Sequence, residues 1–164
     1  MTAALAGHLA DIPLRTHALY QREEILSALD YANLTRRPNT FQAGVVWSDG
    51  LRTDAFLVTL RKSEADFSPT TMYRDYPVSR SLFHWESQVG TSVASPTGQR
   101  YLTGASTVLL FTRGEKRNEL GTAPYLFLGP ARYVQHRGER PIAITWRLEA
   151  PMPVDFFISA AVAS

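Results

Sequence analysis

The hydrophobic pattern changes period several times along this chain, and the changes divide it into elements. Ile25, Leu26 and Leu29 recur at helical spacing, with Tyr20 one turn back and Glu23 and Glu24 early, where acidic side chains complement the positive end of the helix dipole. This predicts a helix over 22–29, ended by the break Arg36-Arg37-Pro38-Asn39. Phe41 to Trp47 and Thr53 to Leu60 read as two strands of a hairpin around the turn Ser48-Asp49-Gly50. Leu82 to Ser87 reads as a further strand, and Thr107–Thr112, Tyr125–Gln135 and Ile142–Leu148 as three more. Ser95-Pro96 has the form of a helix start, a hydroxyl cap followed by proline in the first turn, with the helix running to about Leu102. Gly114 to Gly121 reads as a polar connection, and Pro151-Met152-Pro153 closes the last strand before an apolar tail from Val154 to Val162.

The expected architecture is a single mainly β (α+β) domain, a curved sheet or open β-barrel with two or three flanking helices. Residues 1–19 are expected to form a leader packing on the body, and residues 20–164 the domain itself. No internal repeat or linker composition interrupts it.

Composition removes several chemistries. The chain has no cysteine, which excludes disulfides, thiolate catalysis and cysteine–zinc sites. Its histidines, His8, His17, His84 and His136, show no metal-ligand spacing, so neither a metal nor another cofactor is expected. The sequence has no phosphate-binding glycine loop and no nucleophile elbow. His84 lies near Asp75, Glu86 and Ser87 in sequence, but no strained nucleophile turn accompanies them, and the expectation is a non-catalytic protein. No apolar run is long enough to span a membrane, and no basic region precedes the short apolar start, which points to the cytoplasm. The net charge of +2 is too small to indicate a nucleic-acid binder on its own. Lys62 and Lys116 are the only lysines among the 17 basic residues, so arginine carries almost all of the positive charge. Arginine grips phosphates and guanine edges through its planar fork, and it is also what a GC-rich coding sequence favours.

One stretch obeys neither period. Phe67-Ser-Pro-Thr-Thr-Met-Tyr-Arg-Asp-Tyr76 packs three rings, a carboxylate and several hydroxyls between turn signals, and Trp47 and Trp85 belong to neighbouring strands. Two rings and an acceptor can hold an unstacked base, with Pro69, Thr70 or Met72 as a niche for a methyl group. The same residues also make an ordinary aromatic core beneath a loop. Arg74, Arg80, Arg100, Arg132, Arg137 and Arg140 flank turns and are either phosphate contacts or solvated surface, and Arg36 and Arg37 form a second patch. Phe127 and Trp146 read as core.

Six motifs in order carry a family resemblance: Tyr20-x-Arg-Glu-Glu-Ile-Leu26, the stretch Phe67 to Tyr76, Leu82-Phe-His-Trp-Glu-Ser-Gln88, Gly98-Gln-Arg-Tyr101, Tyr125-x-Phe-Leu-Gly-Pro130 and Gly138-Glu-Arg-Pro-Ile142. Over about Tyr20 to Pro153 the chain resembles the C-terminal domain of fusions between a phospholipase-D-type nuclease and a superfamily-2 helicase. In methylation-dependent (type IV) restriction enzymes of that build, this domain looks like an SRA-type reader of modified cytosine. The resemblance implies a PUA/SRA-like fold that flips 5-methylcytosine or 5-hydroxymethylcytosine out of double-stranded DNA into an aromatic pocket. By role it nominates Tyr73 and Tyr76 as stacking rings and Asp75 as acceptor for the base amine, with Trp47, Phe67 and Trp85 in reserve. Thr71, Ser87 and Gln88 are candidates to complete the pocket or meet the backbone. The chain carries neither nuclease nor helicase, so the expectation is a stand-alone reader, nucleoid-associated when bound to DNA, with any nuclease or helicase supplied by a partner protein. The alternative is an adaptor domain that couples to such a partner.

Overall fold

The computed structural model describes residues 2–29, 44–61 and 75–163 of the chain. From the N-terminus, β1 (Ala3–Ala4) pairs with β2 (Arg15–Thr16), and β3 (Leu19–Tyr20) leads into α1 (Arg22–Ala28). The Glu24 carboxylate accepts from the Gln21 backbone N–H at 2.8 Å and so satisfies a donor at the helix start. Ile25, Leu26 and Leu29 are fully buried and share one apolar cluster with Leu5, Leu9 and Leu14 of the first residues.

The hairpin β4 (Val45–Ser48)–β5 (Thr53–Arg61) follows, then β6 (Tyr76–Ser79), β7 (Leu82–Glu86) and α2 (Pro96–Leu102). Ser95 caps α2, its hydroxyl accepting from the Gly98 N–H at 3.0 Å. Gly98 is required there, because a Cβ at that position would sit 2.1 Å from the Ser92 carbonyl oxygen. β8 (Thr107–Glu115) leads to a small hairpin of β9 (Arg117–Asn118) and β10 (Gly121–Thr122), and β11 (Tyr125–Arg137), β12 (Ala143–Leu148) and α3 (Val154–Ala163) complete the chain. The supposed polar connection over 114–121 is therefore a strand end plus a hairpin, and the apolar tail is a helix. Glycine and charge mask the first in a local pattern, and the second shows no single apolar face. No helix among the described residues is long and apolar enough to cross a membrane.

One mixed sheet dominates this α+β fold, in the order β4-β5-β8-β11-β12-β7-β6, with β3 added beside β11. Among the described residues its one parallel pair, β5 with β8, is buried on both faces, which is why Ala55–Val58 and Val108–Phe111 are continuous apolar runs and not alternating ones. Ala55, Leu57, Leu109, Phe111 and Phe127 face the α1 side, where the rings of Phe111 and Phe127 stack at 4.4 Å. Phe56, Val58, Leu110 and Leu128 face a second cluster with Phe83, Trp85, Trp146 and Met152.

Four strand steps separate β5 from β7, roughly 19 Å in a flat sheet at about 4.8 Å per step. Yet the rings of Phe56 and Trp85 stack at 4.0 Å, within 6° of parallel. Side chains cannot bridge that gap across a flat sheet, so the sheet curls around the second cluster. Among the described residues its path stays open, with β4 and β6 as its ends.

Candidate nucleic-acid interface

The curl leaves one face of β6, β7, β12 and β11 outside. Along β7 and β12 buried and accessible residues alternate, Phe83, Trp85, Ile144, Trp146 and Leu148 pointing inward. The outward positions line up in rows across the strands. Tyr76, His84, Thr145 and Gln135 form one row, Glu86, Ala143 and Arg137 the next, and Leu82, Arg147 and Arg132 the third. Arg132 and Arg147 are therefore directly opposed across two antiparallel strands, and both are exposed. Directly opposed like charges destabilise a sheet. Among the described residues the one ion-pair contact on this couple is Arg132 with Glu149, at 3.9 Å between exposed side chains, and an ion pair that exposed contributes little.

At the end of the first row, the Tyr76 ring stacks on His84 with centroids 4.6 Å apart and planes 17° from parallel. Tyr76 nonetheless keeps 36% of its surface exposed. His84 Nε2 lies 4.0 Å from a Glu86 carboxylate oxygen. Burial lowers the His84 pKa below 6.5, with Glu86 opposing the shift and Arg137 adding to it. Asp75 precedes β6, and its Oδ1 accepts the Glu86 backbone N–H at 2.9 Å, extending the β6–β7 ladder one step past Tyr76 through a side chain.

The lowered His84 pKa has a consequence for stability. The unfolded chain takes up this proton more readily than the folded one, so folding is penalised once the unfolded imidazole protonates. The His84 contribution is full above about pH 6.5 and is lost as pH falls through the folded pKa. Urea unfolding between pH 7.5 and 5 is expected to show a loss of stability that His84→Gln reduces, with NMR titration of the imidazole giving the folded value.

The family model described as "Domain of unknown function (DUF3427)" matches residues 14–160. The chain belongs to this family. The matched span takes in all six motifs read from the sequence, from Tyr20 to Ile142. No curated protein matches the chain.

Within this DUF3427 domain the structure distributes the sequence-nominated residues over several environments. Asp75, Tyr76, Arg132 and Arg137 come together on or beside the outer face just described. Trp85 goes to the core, 4% exposed and stacked on Phe56. Ser87 is fully buried, its hydroxyl accepting from the Ile142 N–H at 2.8 Å and donating to the Gln88 carbonyl at 3.1 Å, which leaves no surface for a DNA backbone contact. Arg100 is committed inward, both of its fork nitrogens 2.8 Å from the carboxylate oxygens of fully buried Asp54. Its guanidinium carbon also lies 4.0 Å from the Trp47 ring centre, and Arg52 lies 5.1 Å from the same ring, so Trp47 serves as a platform for cations. Arg80 donates to the Met152 carbonyl at 2.9 Å, tying β6–β7 to the start of α3. Gln88 is half-buried after β7. Phe67, Thr71, Tyr73 and Arg74, with Pro69, Thr70, Met72, Arg36 and Arg37, lie outside the described residues.

Arg147 and His84 join the face without having been nominated for it. The signal for Arg147 was the period-2 alternation of Ile144, Trp146 and Leu148, which forces it outward. Among the described residues no group of three or more His, Asp or Glu side chains is placed to hold a metal ion.

Proposed function

We propose that this domain is a non-catalytic reader of double-stranded DNA containing 5-methylcytosine. In this reading the face of β7, β12 and β11 meets the phosphate backbone, and a displaced modified base stacks on Tyr76. The observation that carries it is the opposed pair Arg132–Arg147 with Arg137 on the same outward face, next to a half-exposed ring already stacked on its inner side. A polyanion relieves the repulsion that the two arginines otherwise impose on the sheet, and ring faces suit an unstacked base. The curled, open sheet accords with a PUA/SRA-like scaffold, and the six-motif resemblance supplies modified cytosine as the base. Any strand cleavage or unwinding then belongs to a nuclease or a helicase, respectively, acting with the domain. Asp75 keeps its assigned role toward the base amine in this reading while also holding the Glu86 N–H.

Gel-shift titration of one duplex, methylated and unmethylated, tests it. The methylated duplex is expected to bind more tightly, and Tyr76→Ala to cost about 1–3 kcal/mol of that affinity. Arg147→Ala is expected instead to weaken both duplexes and to reduce the salt dependence by about one phosphate contact. Equal affinity for the two duplexes, unchanged by Tyr76→Ala, would sink the reading.

A further inference from the structure

β8 begins at Thr107, beside the point where Val108 pairs with Ala131, whereas β11 continues to Arg137 with β12 as its only partner among the described residues. The place a neighbouring strand would occupy is an open cleft of about 450 Å³, walled on its other side by the last turn of α2. That volume falls within the roughly 300–1,000 Å³ range of small-molecule sites. Tyr101, Tyr133 and Trp146 line it with rings, and Arg132 and Glu149 with opposite charges.

Each wall element has a distinct chemistry. Tyr133 is 36% exposed, and its hydroxyl is fixed by the His136 Nδ1 at 2.7 Å, so the ring is held at the strand edge. Trp146 is 2% exposed, and its indole nitrogen is buried with no hydrogen-bond partner among the described residues, an uncommon condition for a buried donor. Arg132 is 80% exposed and only 3.9 Å from Glu149, at the outer limit of an ion pair, so its planar fork remains able to take a phosphate. Glu149 can only accept while ionised, which suits an exocyclic amine and opposes a carbonyl oxygen at the same place.

We infer that this cleft is a seat for one nucleotide whose base carries an exocyclic amine. The base lies against Tyr133, its amine donates to Glu149, and its phosphate is held by Arg132. The nucleotide has two possible sources, a free mononucleotide or a residue displaced from a duplex. In the second case it is a further nucleotide beside the one whose base stacks on Tyr76, and the inference rests on the reading proposed above; in the first it stands alone.

Fluorescence titration with dCMP, dTMP and inorganic phosphate, on the whole chain, tests the seat directly. The expected result is saturable tryptophan quenching by dCMP, at least tenfold weaker response to dTMP, and none to phosphate alone. Tyr133→Ala and Arg132→Ala are each expected to weaken dCMP binding at least fivefold, while Tyr133→Phe retains it. Glu149→Gln should erase the preference for dCMP over dTMP. Competition by methylated duplex assigns the source: displacement of dCMP marks a nucleotide taken from DNA, and simultaneous binding marks a free-nucleotide site. Duplex binding that survives Tyr133→Ala, with no dCMP response in the parent chain, overturns the seat and leaves the reader intact. A dCMP response without any duplex binding overturns the reader and leaves the seat.

Discussion

Asp54→Ala is expected to destabilise the domain by about 3–5 kcal/mol, the range for removing one partner of a buried ion pair. Asp54 is fully buried within β5, and its carboxylate accepts from both fork nitrogens of Arg100 and, at 2.7 Å, from the Ser106 hydroxyl. Three donors are arranged around one carboxylate, and its removal leaves a guanidinium that is only 16% exposed. The loss is therefore dominated by the uncompensated charge that remains, more than by the attraction that disappears. Arg100→Ala should be similarly damaging, and it should not show the salt-dependent signature of a phosphate contact. Urea unfolding measures both; a cost below about 1 kcal/mol for Asp54→Ala would mean that water reaches and rescues the arginine.

Phe56→Ala is the second large effect, at about 3–5 kcal/mol for a phenylalanine removed from a closed core. The Phe56 ring touches three others: Trp85 face to face at 4.0 Å, and Tyr101 and Trp146 edge-on at 5.4 and 5.5 Å. Its neighbours come from β7, β12 and α2, so the hole it leaves is bounded by elements that do not relax as one body. Phe56→Leu, which keeps most of the volume, should cost considerably less. Near-UV circular dichroism should report the loss of the Phe56–Trp85 stack in both variants, alongside the shift in unfolding midpoint.

Local elements were legible because local residues decide them. Ile25, Leu26 and Leu29 define a helix face on their own, Ser48-Asp49-Gly50 defines a hairpin, and Ser95-Pro96 defines a helix start. The long-range arrangement was not legible for a corresponding reason. Nothing near Trp85 indicates that Phe56 will reach it, because that contact depends on the accumulated curl of the three strands between them, β8, β11 and β12. Trp85 was open to both readings, and the alternation that turns His84 outward turns its neighbour inward. Arg100 shows a signal held in composition: Asp54 beside the apolar run Ala55–Val58 needs a cation, and the turn-flanking arginines are the available supply. Arg147 was hidden in the opposite way, inside a strand that reads as core until its alternation is followed to the end.

The parallel pairing of β5 with β8 bears on how the chain assembles. β4 meets β5 across a short turn, and β11 meets β12 across another, so both can form early and independently. β5 finds β8 only after the intervening segment over 62–106, which contributes β6 and β7 to the far end of the same sheet, has been led around. Joining the two halves is a loop closure with large sequence separation, the step that slows folding in topologies of this kind. The aromatic stack between Phe56 and Trp85 can form only once that closure is made, so it serves as a latch on the finished curl and not as a nucleus for it.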